Sequence, residues 1–198
     1  RCWPWSRWAW PGVVRNGGGV LPRPKEIEEM SLSGHQSARM KNDEWLTPPE
    51  IMQALGEFDL DPCAPVQRPW NTAKWHYDIN DNGLEMPWRG RVWCNPPFGR
   101  EAIKWLRRMA EHRNGIALIP ARTETAMFYE CVWGVADAVL FIKGRPHFHF
   151  VDGRRADFNS GAPICLVAYG TENRDALISS GLGFTTFGHM INPQAKGD

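Results

Sequence analysis

The chain has 198 residues, 42% of them hydrophobic and 23% charged, with a formal net charge of +1. That length and apolar content suit one folded domain with a buried core rather than a disordered chain. The charge balance excludes nucleic-acid binding by bulk basicity, and no apolar run approaches the ~20 residues of a membrane span.

Residues 1–29 carry Trp-Pro pairs and a triple glycine at 17–19, with no helical or strand period. They lack the long apolar core of a secretory signal. The stretch reads as a non-native or appended extension, with Met30 or Met40 as the natural start. The alternative is a flexible tail that belongs to the protein. The small polar residues that follow read as a linker. The expected organisation is extension and linker over 1–41, one domain over 42–190, and a flexible tail over 191–198. Five cysteines (Cys2, Cys63, Cys94, Cys131 and Cys165) form no CxxC pair, so a zinc ribbon is not expected. An odd count without a signal peptide favours a reducing cytoplasm.

In chain order, Thr47-Pro48-Pro49-Glu50 has the form of a capping box and opens a short helix over 48–55. Residues 58–60 read as a strand ending at Asp61, and 65–76 as irregular. Residues 77–84 mix a possible short strand with a turn. Residues 90–94 form an apolar strand that feeds Asn95. Ala102, Ile103, Leu106, Met109 and Ala110 make a helical stripe within 101–113, which Asn114-Gly115 ends. A strand over 116–119 closes at Pro120. Thr123 or Thr125 caps a helix running to about 133. Strands follow at 138–142 and 163–169, the second being the last expected. Strands alternate with helices up to about residue 142, which implies parallel pairing in an α/β sheet. Only a polar connection, 143–161, joins the final two strands, so that pair is expected to be antiparallel.

Asn95-Pro96-Pro97-Phe98 follows a strand directly, at the sheet edge where α/β ligands bind. Asn95 offers a side-chain acceptor. Pro96 has a free carbonyl at a fixed φ, and Pro97 holds Pro96 extended. Phe98 adds a flat apolar face. Two rigid acceptors beside a stacking ring suit a planar exocyclic amine. Gripping both amine hydrogens favours a pyramidal nitrogen with its lone pair free to attack an electrophile.

The motif resembles the (D/N/S)PP(Y/F) signature of amino-methyltransferases that use S-adenosylmethionine. Residues 42–48 (NDEWLTP), 58–64 (FDLDPCA), 81–84 (DNGL), 92–100 (VWCNPPFGR), 119–123 (IPART) and 141–145 (FIKGR), in that order, resemble the phage DNA N-6-adenine methyltransferase family. The resemblance covers about 42–170. It implies a compact, Rossmann-like methyltransferase sheet, mostly parallel, with a C-terminal antiparallel strand pair. It also implies methyl transfer from S-adenosyl-L-methionine to adenine N-6 of a flipped-out base in double-stranded DNA, since the amine is paired inside the duplex. RNA or protein-glutamine methylation, or a catalytically silent DNA-binding relative, are the alternatives. A monomer or weak dimer, phage or prophage encoded and acting in the bacterial cytoplasm, is expected.

The same resemblance assigns Asn95, Pro96, Pro97 and Phe98 to catalysis, and Asn95 to the cofactor as well. It gives 58–64 the place of the first cofactor segment, with Asp61 receiving ribose hydroxyls or the cofactor's amino group. Pro62-Cys63-Ala64 stands where larger methyltransferases have a glycine-rich loop. Trp45, Thr47 and Pro48 match the segment that closes over the methionine end. Asp81, with Asp78, is a weaker candidate for the adenosine side. Arg89, Arg91, Arg100, Lys104, Arg107 and Arg108 crowd the motif, and Lys143, Arg145, Arg154 and Arg155 lie in the last connection. Of the cations, Arg100, Arg122, Lys143 and Arg145 are assigned to DNA together with Phe98, Arg122 being the foremost. His147 and His149 could share a strand face, but no third metal ligand accompanies them, so no metal is expected.

Overall fold

A computed structural model describes residues 44–187. The expected extension over 1–41 and tail over 191–198 lie outside the described residues, as does Cys2. Helix α1, Pro49–Leu55, buries Ile51 and Leu55, but the expected capping box does not form. The N-cap position is Pro48, which has no side-chain acceptor, and Thr47 Oγ1 is buried without a partner. The second proline explains the shift. Pro49 starts the helix with no N–H to satisfy, so one orphan donor is removed rather than capped.

Strands β1 (Leu60–Asp61), β2 (Trp75–His76) and β3 (Val92–Cys94) follow, then helix α2, Ala102–His112. The short strand expected within 77–84 is therefore two residues earlier, and 79–85 is turn, followed by a bend at 86. Arg113, at φ 61°, ends α2 in the left-handed conformation. Gly115 is not the stop; it opens β4, Gly115–Pro120. A Cβ there would lie 2.3 Å from the Val92 carbonyl oxygen, so the glycine lets β3 and β4 approach. Helix α3 (Ala126–Cys131), β5 (Ala138–Ile142) and β6 (Ile164–Tyr169) come next.

Two further elements follow the strand expected to be last: α4, Thr171–Ser179, and β7, Gly183–Phe187. Helix α4 hides in the sequence because one of its two fully buried positions is polar. Asn173 donates to Tyr169 O (2.8 Å) and Asn114 Oδ1 (2.9 Å) and accepts from Arg91 Nε (2.7 Å). An apolar stripe is replaced by a hydrogen-bonded node, which the helical period cannot signal.

The sheet has seven strands in the order β2-β1-β3-β4-β6-β5-β7. The pairs β1–β2, β1–β3 and β3–β4 are parallel; β4–β6, β5–β6 and β5–β7 are antiparallel. The β5–β6 pair is antiparallel as the missing helix implied. Parallel pairing does not continue to β5, because β6 inserts between β4 and β5. All six residues of β4 and of β6 are buried, as expected for strands covered on both faces. Alternation divides them: Ala117 and Ile119 join Leu106, Met109 and Phe128 of α2 and α3 on one face. Ile116 and Leu118 join Ile51, Leu55 and Leu177 of α1 and α4 on the other. The result is a mixed α/β sheet between two helical layers.

Candidate active site

The parallel register Leu60↔Val92 brings the carboxyl ends of β1 and β3 to one edge. Asp61 ends β1, and Asn95 follows β3. Asn95 Nδ2 donates to the Trp45 carbonyl at 3.1 Å. Its Oδ1 takes no bond from a described residue, nor does the Pro96 carbonyl. The amide's donor side is thus engaged and its acceptor side is spare. Pro96 is buried, while Pro97 is exposed and Phe98 is 45% exposed.

Trp45 belongs to a strap ahead of α1. Leu46 and His149 exchange both backbone hydrogen bonds, at 2.9 and 3.0 Å. This fastens the strap to the polar connection after β5. Trp45 packs on Phe150 with ring centroids 5.0 Å apart. Phe98 meets Phe148 edge-on at 6.1 Å. The connection therefore borders the edge that carries Asn95. Seven buried side-chain nitrogens or oxygens lack a partner among the described residues, and four belong to Trp45, Thr47, Trp70 and His149. Trp70 and His149 touch edge-on at 5.2 Å. Buried polar groups are normally satisfied, so this clustering along the strap and its neighbours marks a place built for polar company.

Asp61 is buried. Thr72 Oγ1 donates to its Oδ2 at 2.5 Å, and the Cys63 N–H to its Oδ1 at 3.1 Å. Burial still dominates and lifts its pKa to about 6. The turn over 79–85 leans on this segment. A Cβ on Gly83 would lie 1.8 Å from the Pro62 carbonyl oxygen. Arg108 donates to the carbonyls of Leu84 and Met86, and Trp88 Nε1 bonds Gly83 O at 2.8 Å, which fixes the turn on α2. Asp81 is exposed, and its carboxylate accepts the Asp78 N–H at 2.9 Å, a local turn contact. A cavity of about 390 Å³, lined by Asp59, Trp75, Tyr77 and Arg89, opens at the amino-terminal ends of β1 and β2, the edge opposite Asn95.

A family model described as DNA N-6-adenine-methyltransferase (Dam) matches residues 34–179. The chain belongs to this family. No curated protein and no solved structure matches. The match spans the strap, Asp61, Asn95 and the connection that carries His149. Dam-family membership gives DNA adenine N-6 methylation as the general activity.

Gly83→Ala is expected to destabilise this Dam-family domain by about 1–3 kcal/mol or more, as overpacking does. The backbone of Pro62 cannot yield as a side chain would. Thermal unfolding measures it, and an unchanged midpoint would mean that the turn can move off Pro62 freely.

The basic residues divide by partner. Arg91 is structural: it bonds Leu55 O, Glu57 O and Asn173, and lies over the Phe58 ring at 4.2 Å. Arg108 is structural for the turn already described. Lys104 pairs with Glu101 and Arg107 with Glu130, both at 2.5 Å, and Arg154 with Asp152 at 2.7 Å. Arg145 reaches only Gly161 O, at 3.3 Å. Arg100, Arg122 and Lys143 are exposed, with no side-chain partner among the described residues. Sequence reasoning missed Trp70, Thr72, Phe148 and Phe150. Thr72 lies in an irregular loop with no period to single it out. The Phe-His alternation at 147–150 was visible as a strand-like signal, but His147 turns to Ala156 O at 3.1 Å while the His149 backbone holds the strap.

Proposed function

We propose that the chain transfers a methyl group from S-adenosyl-L-methionine to adenine N-6 in double-stranded DNA, at a specific sequence, with the base flipped out. The observation that carries this reading is Asn95, whose donor side is held by Trp45 while Oδ1 stays open beside the Pro96 carbonyl. The strand order and the β5–β6 hairpin support a compact, Rossmann-like methyltransferase sheet. Taken alone, the motif also fits an RNA base or a glutamine amide; the family match favours DNA adenine.

The residues fit the cofactor. Asp61 is a buried carboxylate short of donors, and Trp45 Nε1 and Thr47 Oγ1 are buried and unpartnered. S-adenosyl-L-methionine supplies an electrophilic methyl on a sulfonium sulfur. Asp61, Pro62 and Cys63 would hold it from the β1 turn, Trp45, Thr47 and Pro48 from the strap, and Asp81 from the neighbouring turn. Asn95 Oδ1 and the Pro96 carbonyl accept the two amine hydrogens, which leaves the nitrogen lone pair directed out of the ring plane. Pro97 keeps Pro96 extended, and Phe98 stacks on the base. No strong base is needed beforehand, because the proton leaves after attack. Arg100, Arg122, Lys143 and Arg145 meet phosphates or bases.

The test is direct. Purified protein is incubated with unmethylated DNA and S-adenosyl-L-methionine, and the digested nucleosides are searched for N-6-methyladenine by mass spectrometry. A signal that vanishes in Asn95→Ala supports the reading. Cofactor binding without any methylated DNA would shift it to RNA or protein, and no cofactor binding would leave a silent DNA-binding relative.

If Arg122 meets a phosphate, Arg122→Ala should weaken DNA binding equally across sequences. It should also reduce the slope of log affinity against log salt by about 0.9. Fluorescence anisotropy over a salt series reads both, and an unaltered slope removes Arg122 from the DNA face.

A further inference from the structure

Cys63 and Cys94 bring their sulfurs to 3.7 Å across the carboxyl ends of β1 and β3. Both are free thiols, and no other pair of thiols is in contact among the described residues. Cys94 is buried and Cys63 is half-buried, so Cys63 is the more accessible of the two. The pair lies inside the candidate active site. The Cys63 N–H holds Asp61 Oδ1, the Asn95 backbone N–H points at the Cys63 sulfur, and Cys94 directly precedes Asn95.

We propose that Cys63 and Cys94 form a dithiol modification site, closed to a disulfide by a two-electron oxidant such as a peroxide or an azodicarboxamide, and that closure switches methyl transfer off. Two S–H bonds break and one S–S bond forms. The two electrons and two protons pass to the oxidant, reducing a peroxide to water or an N=N bond to a hydrazine. A disulfide needs an S–S distance of about 2.05 Å, so the sulfurs must close by about 1.6 Å. Cys94 is fixed in the sheet between β1 and β4, so the adjustment falls on Cys63 and its backbone, beyond the packed Pro62. That motion draws the Cys63 N–H away from Asp61 and disturbs the entry to Asn95. A misplacement of about 1 Å in such a site can cost about 100-fold in rate.

The Cys94 thiol, followed by burial, pushes the Cys63 pKa well above the ordinary thiol value. The thiolate is the attacking species. A raised Cys63 pKa slows closure at neutral pH, and closure should quicken as the pH rises.

The experiment treats the full chain with the azodicarboxamide diamide at pH 8. Linked peptides are mapped by mass spectrometry without reduction, and DNA methylation is assayed before and after dithiothreitol. The expected result is a Cys63–Cys94 link in the wild type, a loss of methylation by about tenfold or more, and recovery on reduction. Cys94→Ala, compared with its own untreated activity, is expected to resist the same treatment. A link formed elsewhere, no link at all, a link that leaves methylation intact, or a Cys94→Ala protein inactivated to the same extent would each overturn the proposal. Only the effect on activity rests on the methyltransferase reading. If the untreated protein methylates no DNA, that reading fails, and the peptide map alone decides whether the dithiol closes.

Discussion

Asn95→Ala is expected to lower methyl transfer by on the order of 10²–10³-fold, the loss seen when one preorganised hydrogen-bond partner is removed from a reacting group. The side chain is half-buried and makes one hydrogen bond, to the Trp45 carbonyl. Its removal should cost about 0.5–1.5 kcal/mol of stability, so the domain still folds. Asn95→Asp separates the two roles of the amide. It keeps an acceptor for the amine but places a carboxylate opposite the Trp45 carbonyl, which can no longer receive a donor. Activity between the wild type and alanine, with a loosened strap, is expected. Single-turnover kinetics would read the chemical step, and full activity in Asn95→Ala would remove Asn95 from catalysis.

Asp61→Asn should raise stability while weakening the proposed cofactor site. The Asp61 carboxyl is buried, with a pKa raised from 3.8 to about 6. The folded state therefore holds this proton more tightly than the unfolded chain does. Stability falls as pH rises from about 4 to about 6 and then stays level, a cost on the order of 3 kcal/mol at neutral pH. Asparagine has no charge to bury. It can take the Cys63 N–H on its oxygen and donate to Thr72. Its advantage should be absent below about pH 4 and complete above about pH 6, as read by chemical denaturation at the two pH values. Affinity for S-adenosyl-L-methionine should fall by about 10- to 100-fold, the usual worth of a hydrogen bond to a charged group. A variant less stable at pH 8 would mean that Thr72 and Cys63 favour the carboxylate more than burial opposes it.

The sheet edge was legible where local chemistry dictates local shape. An apolar strand, then Asn95, Pro96 and Pro97, then an amphipathic helix can be arranged in few ways; β3 starts two residues later than expected, and α2 is a residue shorter at each end. The antiparallel β5–β6 pair was legible from the helix missing between its strands. The capping box was not, because Thr47 and Glu50 promise a cap that the Pro48-Pro49 pair makes unnecessary. Helix α4 and strand β7 escaped because Asn173 replaces an apolar stripe and β7 is an exposed edge. At the candidate site, the residue types were readable but their partners were not. The same basic cluster contains Arg91 and Arg108, tied to backbone carbonyls, and Arg100, which is free. Only folded contacts between distant segments separate them.

The bridge between Leu46 and His149 has a further consequence for the order of events. It joins positions about a hundred residues apart through two hydrogen bonds, a contact whose loop-closure entropy is met only after the intervening chain has folded. The β4–β6 centre, six paired positions deep and fully buried, does not depend on it. The strap thus depends on a long-range closure that the sheet centre does not need. On the proposed reading, a cofactor entering beneath the strap works against its two hydrogen bonds to His149 and the Trp45–Phe150 ring contact, none of which belongs to the central sheet.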